Sequence, residues 1–259
     1  MFSTLRAMIH QRRKRENLYS TAAYWDSKAA AYDNTAVSMW PNQALNQLYE
    51  IELQRLLGRY LSDLTGLHIL DLGCGTGRFS RWFARQGARV TGIDFSSRAL
   101  AIAQKQSMGN NPQYRHGSVF ELAEEQGYDL IFTWGVLTLA CRDQDELYDV
   151  LTRIGRALRP NGRLLLTEPI HQGFLHRVLN LNLANFLAVM RAAGFQVQTK
   201  APLHFWPTRL VLAYVPWPMW ITAPLYYLGQ AAMKLPGLAS LGDYHAILAR
   251  PVDAARRPC

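Results

Sequence analysis

Three glycines at alternate positions, Gly73, Gly75 and Gly77, follow the apolar run Leu67-His68-Ile69-Leu70-Asp71-Leu72 and lead into a stretch of helical character. Positions without a Cβ let the backbone bend sharply and let a ligand come close to it. Asp71 stands just ahead of the bend. A carboxylate there suits a cationic ligand group and repels a pyrophosphate, which disfavours the related loop of dinucleotide enzymes, where a pyrophosphate rests on a helix N-terminus. A second acid, Asp94, ends the run Val90-Thr91-Gly92-Ile93-Asp94. At a strand end it can accept both hydroxyl protons of a ribose; the plainer alternative is an N-cap for the helix beginning at Ser97. Cys74, inside the loop, reads as a small buried filler with no redox or nucleophilic role. Cys74, Cys141 and Cys259 lack the spacing of a zinc site or a disulfide framework, which fits a reducing cytoplasm.

The elements that must position these groups follow from periodicity. Leu67 to Leu72 reads as a strand, Arg78 to Gln86 as a helix, Arg89 to Asp94 as a strand and Ser97 to Met108 as a helix. Tyr114 to Gly117 is a weak strand and Tyr128 to Trp134 a strong one. A helix from Gln144 to Leu158 closes on the turn Arg-Pro-Asn-Gly, ahead of a strand from Arg163 to Thr167. A helix from Asn182 to Ala193, a strand from Phe195 to Thr199 and a last strand from Asp243 to Ala249 complete the series. Such alternation predicts an α/β fold: a doubly wound, mostly parallel seven-stranded sheet with helices on both faces, the last strand antiparallel, and ligands at the carboxyl ends of the strands. The sixth strand is expected to run parallel to its neighbours. A covering helix is expected from Asn42 to Leu61.

The flanks differ in composition. The chain has 259 residues with 28 Lys and Arg against 19 Asp and Glu, a formal charge of +9 that points to a polyanionic neighbour. Arg6, Arg12, Arg13, Lys14 and Arg15 crowd a leader in which Phe2, Leu5, Met8 and Ile9 share one helical side, the pattern of a surface anchor for an anionic membrane; a solvated basic leader is the plainer alternative. No export signal is read. Between Arg209 and Lys234 there is no charged residue, while Tyr214, Trp217, Trp220, Tyr226 and Tyr227 accumulate. Pro216, Pro218 and Pro224 argue against one membrane-spanning helix and for pocket-lining or interfacial structure. The expected division is 1–41 as a basic leader and helical lid, 42–202 as the ligand-binding domain, 203–241 as an aromatic, Pro-rich cap inserted before the last strand, and 242–259 as that strand and a tail.

The loop Asp71-Leu72-Gly73-Cys74-Gly75-Thr76-Gly77, the acid Asp94, the run Tyr128-Asp129-Leu130-Ile131-Phe132-Thr133-Trp134-Gly135 and the turn Leu158-Arg159-Pro160-Asn161-Gly162 together resemble the class I, Rossmann-like S-adenosylmethionine-dependent methyltransferase family. The resemblance covers roughly 42–199 and the last strand. It implies that S-adenosylmethionine is held by Asp71, Gly73, Cys74, Gly75 and Gly77, by Asp94, Phe95 and Ser96, by Ser118 and Val119, and by Thr133 and Trp134. Tyr24 and Tyr32, with Trp25, resemble the segment that closes over the cofactor in relatives; a simple aromatic staple is the alternative. Many members place an acid after the third strand for the adenine amino group. This chain reads His116-Gly117-Ser118-Val119-Phe120 there, leaving Ser118 to hydrogen-bond.

The resemblance implies direct in-line displacement, with no metal and no covalent enzyme intermediate, in which proximity supplies most of the acceleration. A general base is needed only for an alcohol or phenol. Glu168, His171, His176 and His204 follow the fifth and sixth strands, and His171 and His204 are the preferred pair. The uncharged aromatic segment suits a small or amphiphilic, lipid-like acceptor. An RNA methyltransferase and a catalytically idle cofactor-binding scaffold are the competing readings, but charge and aromatics lie in different segments, unlike a nucleic-acid face.

Overall fold

The computed structural model describes residues 19, 21–31, 40–61 and 63–252. The basic leader and Tyr32 lie outside the described residues. Strand β1 (His68–Leu72) shows how the sheet is built: Leu70 and Leu72 join one apolar cluster and Ile69 the other, the period-two alternation of a strand covered on both faces. Strand β4 (Tyr128–Trp134) does the same, with Ile131 on one face and Leu130 and Phe132 on the other. With β2 (Arg89–Asp94), β3 (Gln113–His116), β5 (Leu158–Glu168), β6 (Phe195–Phe205) and β7 (Gly242–Pro251) these form one sheet in the order β3-β2-β1-β4-β5-β7-β6. The pairings are parallel except those of β7, which runs antiparallel to both β5 and β6. The order reverses between β1 and β4, the switch point where doubly wound sheets open a crevice at the carboxyl ends of their strands.

Helices on the first face are α6 (Gln144–Ala157) and α7 (Leu183–Ala192), which bury Leu147, Val150, Leu151, Ile154, Phe186 and Met190. The second face carries α2 (Gln43–Tyr60) and α3 (Arg78–Arg85), with Leu45, Leu53, Leu57, Phe79 and Phe83 inward. Their ends are specified locally. Asn42 accepts from Leu45 N at 3.0 Å, Asp143 caps α6 and Asn182 accepts from Asn185 N at 2.8 Å, so each side chain satisfies an otherwise orphaned amide. Helix α1 (Ala22–Ala31) packs on α4 (Ser97–Lys105), and a short α5 (Leu137–Ala140) follows β4.

The sheet departs from the expected one in three places. The sixth strand does not have parallel neighbours: β6 is an edge strand whose partner is β7, antiparallel, from Phe195–Pro251 to Phe205–Gly242. It also runs six residues past Thr199, with Pro202 tolerated because an edge strand need not donate on both sides. Residues 159–162, expected as a turn, lie inside β5, where the register jumps from Tyr128–Leu158 to Leu130–Arg163. The aromatic segment is α8 (Trp206–Leu212) and α9 (Met219–Ala232); α9 continues through Pro224. No helix among the described residues is long and apolar enough to cross a membrane.

Candidate active site

A cavity of roughly 300 Å³ opens at the carboxyl ends of β1, β2 and β4, at the switch point. Its floor is the loop after β1. Gly73 N and Cys74 N both donate to Ile93 O, at 2.7 and 3.0 Å, pinning the bend to β2. Gly75 has a φ of +53°, and a Cβ there would point into open space, the place where a ligand can lie against bare backbone. Gly77 has a φ of +75° and is the N-cap of α3 without a side-chain cap bond; a Cβ on it would stand 2.2 Å from Tyr114 Oη. Gly77 therefore shapes the turn and does not itself line the cavity.

Asp94 is oriented by two backbone amides: Gly75 N donates to Oδ2 and Ser96 N to Oδ1, each at 2.8 Å. Two carboxylate oxygens can accept more bonds than these two, so capacity is left for hydroxyl protons from the cavity side. The N-cap of α4 is Ser96, which accepts from Ala99 N at 3.1 Å, so Asp94 is not the cap. Asp71 accepts from Ser80 Oγ at 2.5 Å and is otherwise enclosed. Burial pushes its pKa up to about 7, with the Ser80 bond opposing and the nearby Asp94 charge adding to the rise. Burial raises Asp94 as well, against its backbone N–H bonds. Arg81 offsets only part of the rise at Asp71, and two buried carboxylates side by side are a receptor for positive charge. Arg78, also on the wall, pairs with Glu50, and burial with the neighbouring Arg81 lowers its pKa to about 10, leaving it charged at neutral pH.

The loop after β4 is held by Glu168, at the end of β5. Its carboxylate accepts from Thr133 Oγ1 at 2.8 Å, Val136 N at 3.0 Å, Leu137 N at 3.2 Å, Thr138 N at 3.1 Å and Thr138 Oγ1 at 2.9 Å. Both oxygens are consumed in fixing Trp134 to Val136 against the cavity. Burial raises its pKa, with those donors opposing the rise.

Residues 69–162 match the family model described as "Methyltransferase domain". Over those residues the chain carries a methyltransferase domain. Among relatives, a mitochondrial ubiquinone biosynthesis O-methyltransferase of Schizosaccharomyces pombe is 34% identical over 125 residues, covering 46% of this chain and 44% of that protein. A demethylmenaquinone methyltransferase of Tropheryma whipplei is 32% identical over 144 residues, covering 55% of this chain and 56% of that one. The match thus spans about half the length of these relatives. A solved S-adenosylmethionine-dependent methyltransferase from Mesorhizobium loti shares the fold, with a TM-score of 0.55 at 20% identity over 76% of this chain and 96% of that one. S-adenosylmethionine is the cofactor of this family.

Within the methyltransferase domain the expected site residues divide. Asp71, Gly73, Cys74, Gly75, Asp94, Phe95, Ser96, Ser118, Val119 and Trp134 line the cavity together. Ser118 uses its oxygen to accept from Phe120 N at 3.3 Å, and its O–H remains able to donate. Thr133 does not reach the cavity; its hydroxyl is spent on Glu168. Tyr24 packs on Tyr19 and Trp25; those two line the cavity and Tyr24 does not, and Trp25 Nε1 donates to Tyr19 O at 2.8 Å.

The preferred bases, His171 and His204, do not line the cavity. His171 Nε2 lies 3.0 Å from Asp243 Oδ1, in a buried group that also holds Arg209, whose Nε is 2.8 Å from Asp243 Oδ2 but off the N–H axis, an ion pair without an aligned hydrogen bond. Burial would raise Asp243, but the His171 bond and the Arg209 and Arg177 charges hold its carboxyl below the ordinary value. His204 has a φ of +60°, stacks on Tyr49 at 3.5 Å between centroids, and receives Tyr226 Oη at 3.0 Å from Nδ1. Burial lowers its pKa to about 3, so it is a neutral buttress of Tyr49. His176 is tied to Gly173 O. Glu168 is the loop clamp described above.

Functional residues that sequence reasoning missed are Asp26, Tyr49, Arg78 and Tyr244. Asp26 ties α1 to the turn between β2 and α4, accepting from Ser96 Oγ at 2.6 Å and Arg98 N at 3.1 Å. Tyr49 and Tyr244 form the wall beyond Trp134, their rings edge to face at 6.2 Å.

Proposed function

We propose that this chain transfers the sulfonium methyl group of S-adenosylmethionine to a small amphiphilic, lipid-like acceptor in the cytoplasm. The observation that carries the reading is the continuity of one cavity, from the carboxylates and bare backbone of the glycine loop to an aromatic and apolar wall of Trp40, Tyr49, Trp134, Leu139 and Tyr244. The quinone-pathway names of the relatives support an acceptor of that chemistry.

The residues present fit the cofactor. Asp71 and the loop backbone would hold its ammonium end, Arg78 its carboxylate, Asp94 its ribose hydroxyls, and Gly117 to Val119 its adenine. When bound, S-adenosylmethionine supplies an electrophilic methyl group whose bond to sulfur breaks as the acceptor's electron pair forms the new bond. The chain's own contribution is alignment and exclusion of water. Trp25 and Trp40 cover the cavity, and the Glu168 clamp sets Trp134 and Gly135 rigidly beside the reacting groups. Burial raises the Tyr49 and Tyr244 hydroxyls above their ordinary values, so both stay protonated and orient the acceptor by donating hydrogen bonds. The described wall offers no strong base at that end, which fits an acceptor that loses its proton to solvent or arrives ionised.

The test is transfer of label from methyl-labelled S-adenosylmethionine into lipid, polar-metabolite and RNA fractions of a cell extract. Label in the lipid fraction is expected. Label confined to RNA or to polar metabolites overturns the acceptor class, and no label in any fraction overturns the transfer.

A further inference from the structure

We propose that the methyl acceptor carries a carboxylate and that Arg177, beside the aromatic end of the cavity, is the side chain that receives it. The chain between β5 and α7 brings Arg177 there. Val178 N and Leu179 N both donate to Thr138 O, at 3.2 and 3.0 Å, which ties this segment to the loop that Glu168 holds. Val178 packs with Tyr19 and Leu139, two residues of the cavity wall. The Arg177 guanidinium lies over the ring of a third, Trp40, its carbon 5.4 Å from the ring centroid. It stands one side chain behind the wall.

Its charge is unmatched. Arg209 lies over the same Trp40 ring at 5.0 Å and has Asp243 as its ion partner. Asp243 spends Oδ2 on Arg209 and Oδ1 on His171, and no acid occurs from residue 169 to residue 242. Two guanidiniums thus share one carboxylate, and Arg177 is the one left over. Its Nε and Nη2 are buried without a hydrogen-bond partner among the described residues. Burial works against its charge, but Asp243, with Tyr244, Tyr19 and Tyr214, outweighs burial and raises the pKa, so Arg177 stays a cation. A buried cation without a hydrogen-bonded partner is costly to keep, and a bound anion offsets that cost.

The free atoms select the anion. Nε and Nη2 form one edge of the planar guanidinium fork, and such an edge meets both oxygens of a carboxylate in a bidentate pair. A phosphate brings up to two charges to one free cation in an aromatic surround, so the singly charged carboxylate is the better match. Stacked on Trp40 without a hydrogen bond to hold it, the guanidinium is free to turn toward a bound acceptor, a rotamer change common on binding. The proposal rests on the amphiphilic-acceptor reading and adds the acidic group to it.

The experiment is calorimetric titration of the full chain, saturated with S-adenosylhomocysteine, with para-butylbenzoate and with its neutral counterpart para-butylbenzamide. The parent is expected to bind the carboxylate about tenfold or more tightly than the amide. Arg177→Met keeps an unbranched side chain against Trp40. It should bring the carboxylate down to the affinity of the amide, leave the amide and S-adenosylhomocysteine affinities unchanged, and keep or raise the ligand-free melting temperature, because the unpaired cation is gone. Equal affinity of the parent for the two probes overturns the carboxylate and leaves the amphiphilic reading standing, as does a carboxylate preference that survives in the variant. A parent that binds neither probe also overturns the proposal, and label transfer then decides whether the amphiphilic reading falls with it.

Discussion

Asp71 is the side chain whose state depends most on what occupies the cavity. Its ordinary value is 3.8, and in the ligand-free fold burial brings it to about 7. Between those values the native state holds more protons than the unfolded chain, so this group lowers stability as pH rises through the window, and above it the cost is of the order of a few kcal/mol. Asp71→Asn should therefore raise the ligand-free melting temperature by several degrees at pH 8 and leave it nearly unchanged at pH 4, as read by thermal denaturation. The same logic predicts that affinity for S-adenosylmethionine rises between pH 6 and pH 8, with a proton released on binding; calorimetry in buffers of different ionisation enthalpy measures both. Asp71 and Asp94 were legible in the sequence because each ends an apolar strand beside a turn. Asp26 was not, because its partners Ser96 and Arg98 are some seventy residues away and nothing local marks the contact.

At the scale of elements, the site depends on how β5 ends. Glu168 satisfies three consecutive amides, of Val136, Leu137 and Thr138, and two hydroxyls. Removing it strands buried donors at about 1–3 kcal/mol each, so Glu168→Ala should destabilise the fold by about 3 kcal/mol or more in denaturant titration and loosen the loop that carries Trp134. Glu168→Gln, which keeps an acceptor, should recover part of the loss. The sequence placed this acid at the cavity as a base because its position after a strand is visible and its donors are not. The elements that frame the cavity were readable, since β1, β2 and β4 are apolar runs bounded by glycine or acid. The later ones were blurred by proline. Pro202 sits in β6, at the sheet edge, and Pro224 on the exposed side of α9, where one missing helix bond is offset by Thr222 and Tyr226 packing inward.

The whole molecule divides by charge as well as by layer. Buried carboxylates gather at the strand ends on one side of the cavity, while the stretch from residue 169 to residue 242 carries no acid and packs Tyr226 and His204 behind the aromatic wall on the other. In the proposed reaction a polar electrophile is drawn to one end of the cavity and an apolar acceptor to the other, which brings the two reactants together without any catalytic base on the described wall. The most direct measurement is a calorimetric titration of the full chain with S-adenosylhomocysteine, beside the Asp94→Ala variant. The account predicts saturable binding at one site and a loss of about tenfold or more in the variant, the effect of removing a buried charge-assisted hydrogen-bond acceptor. Absence of binding, or equal affinity in the variant, would contradict it.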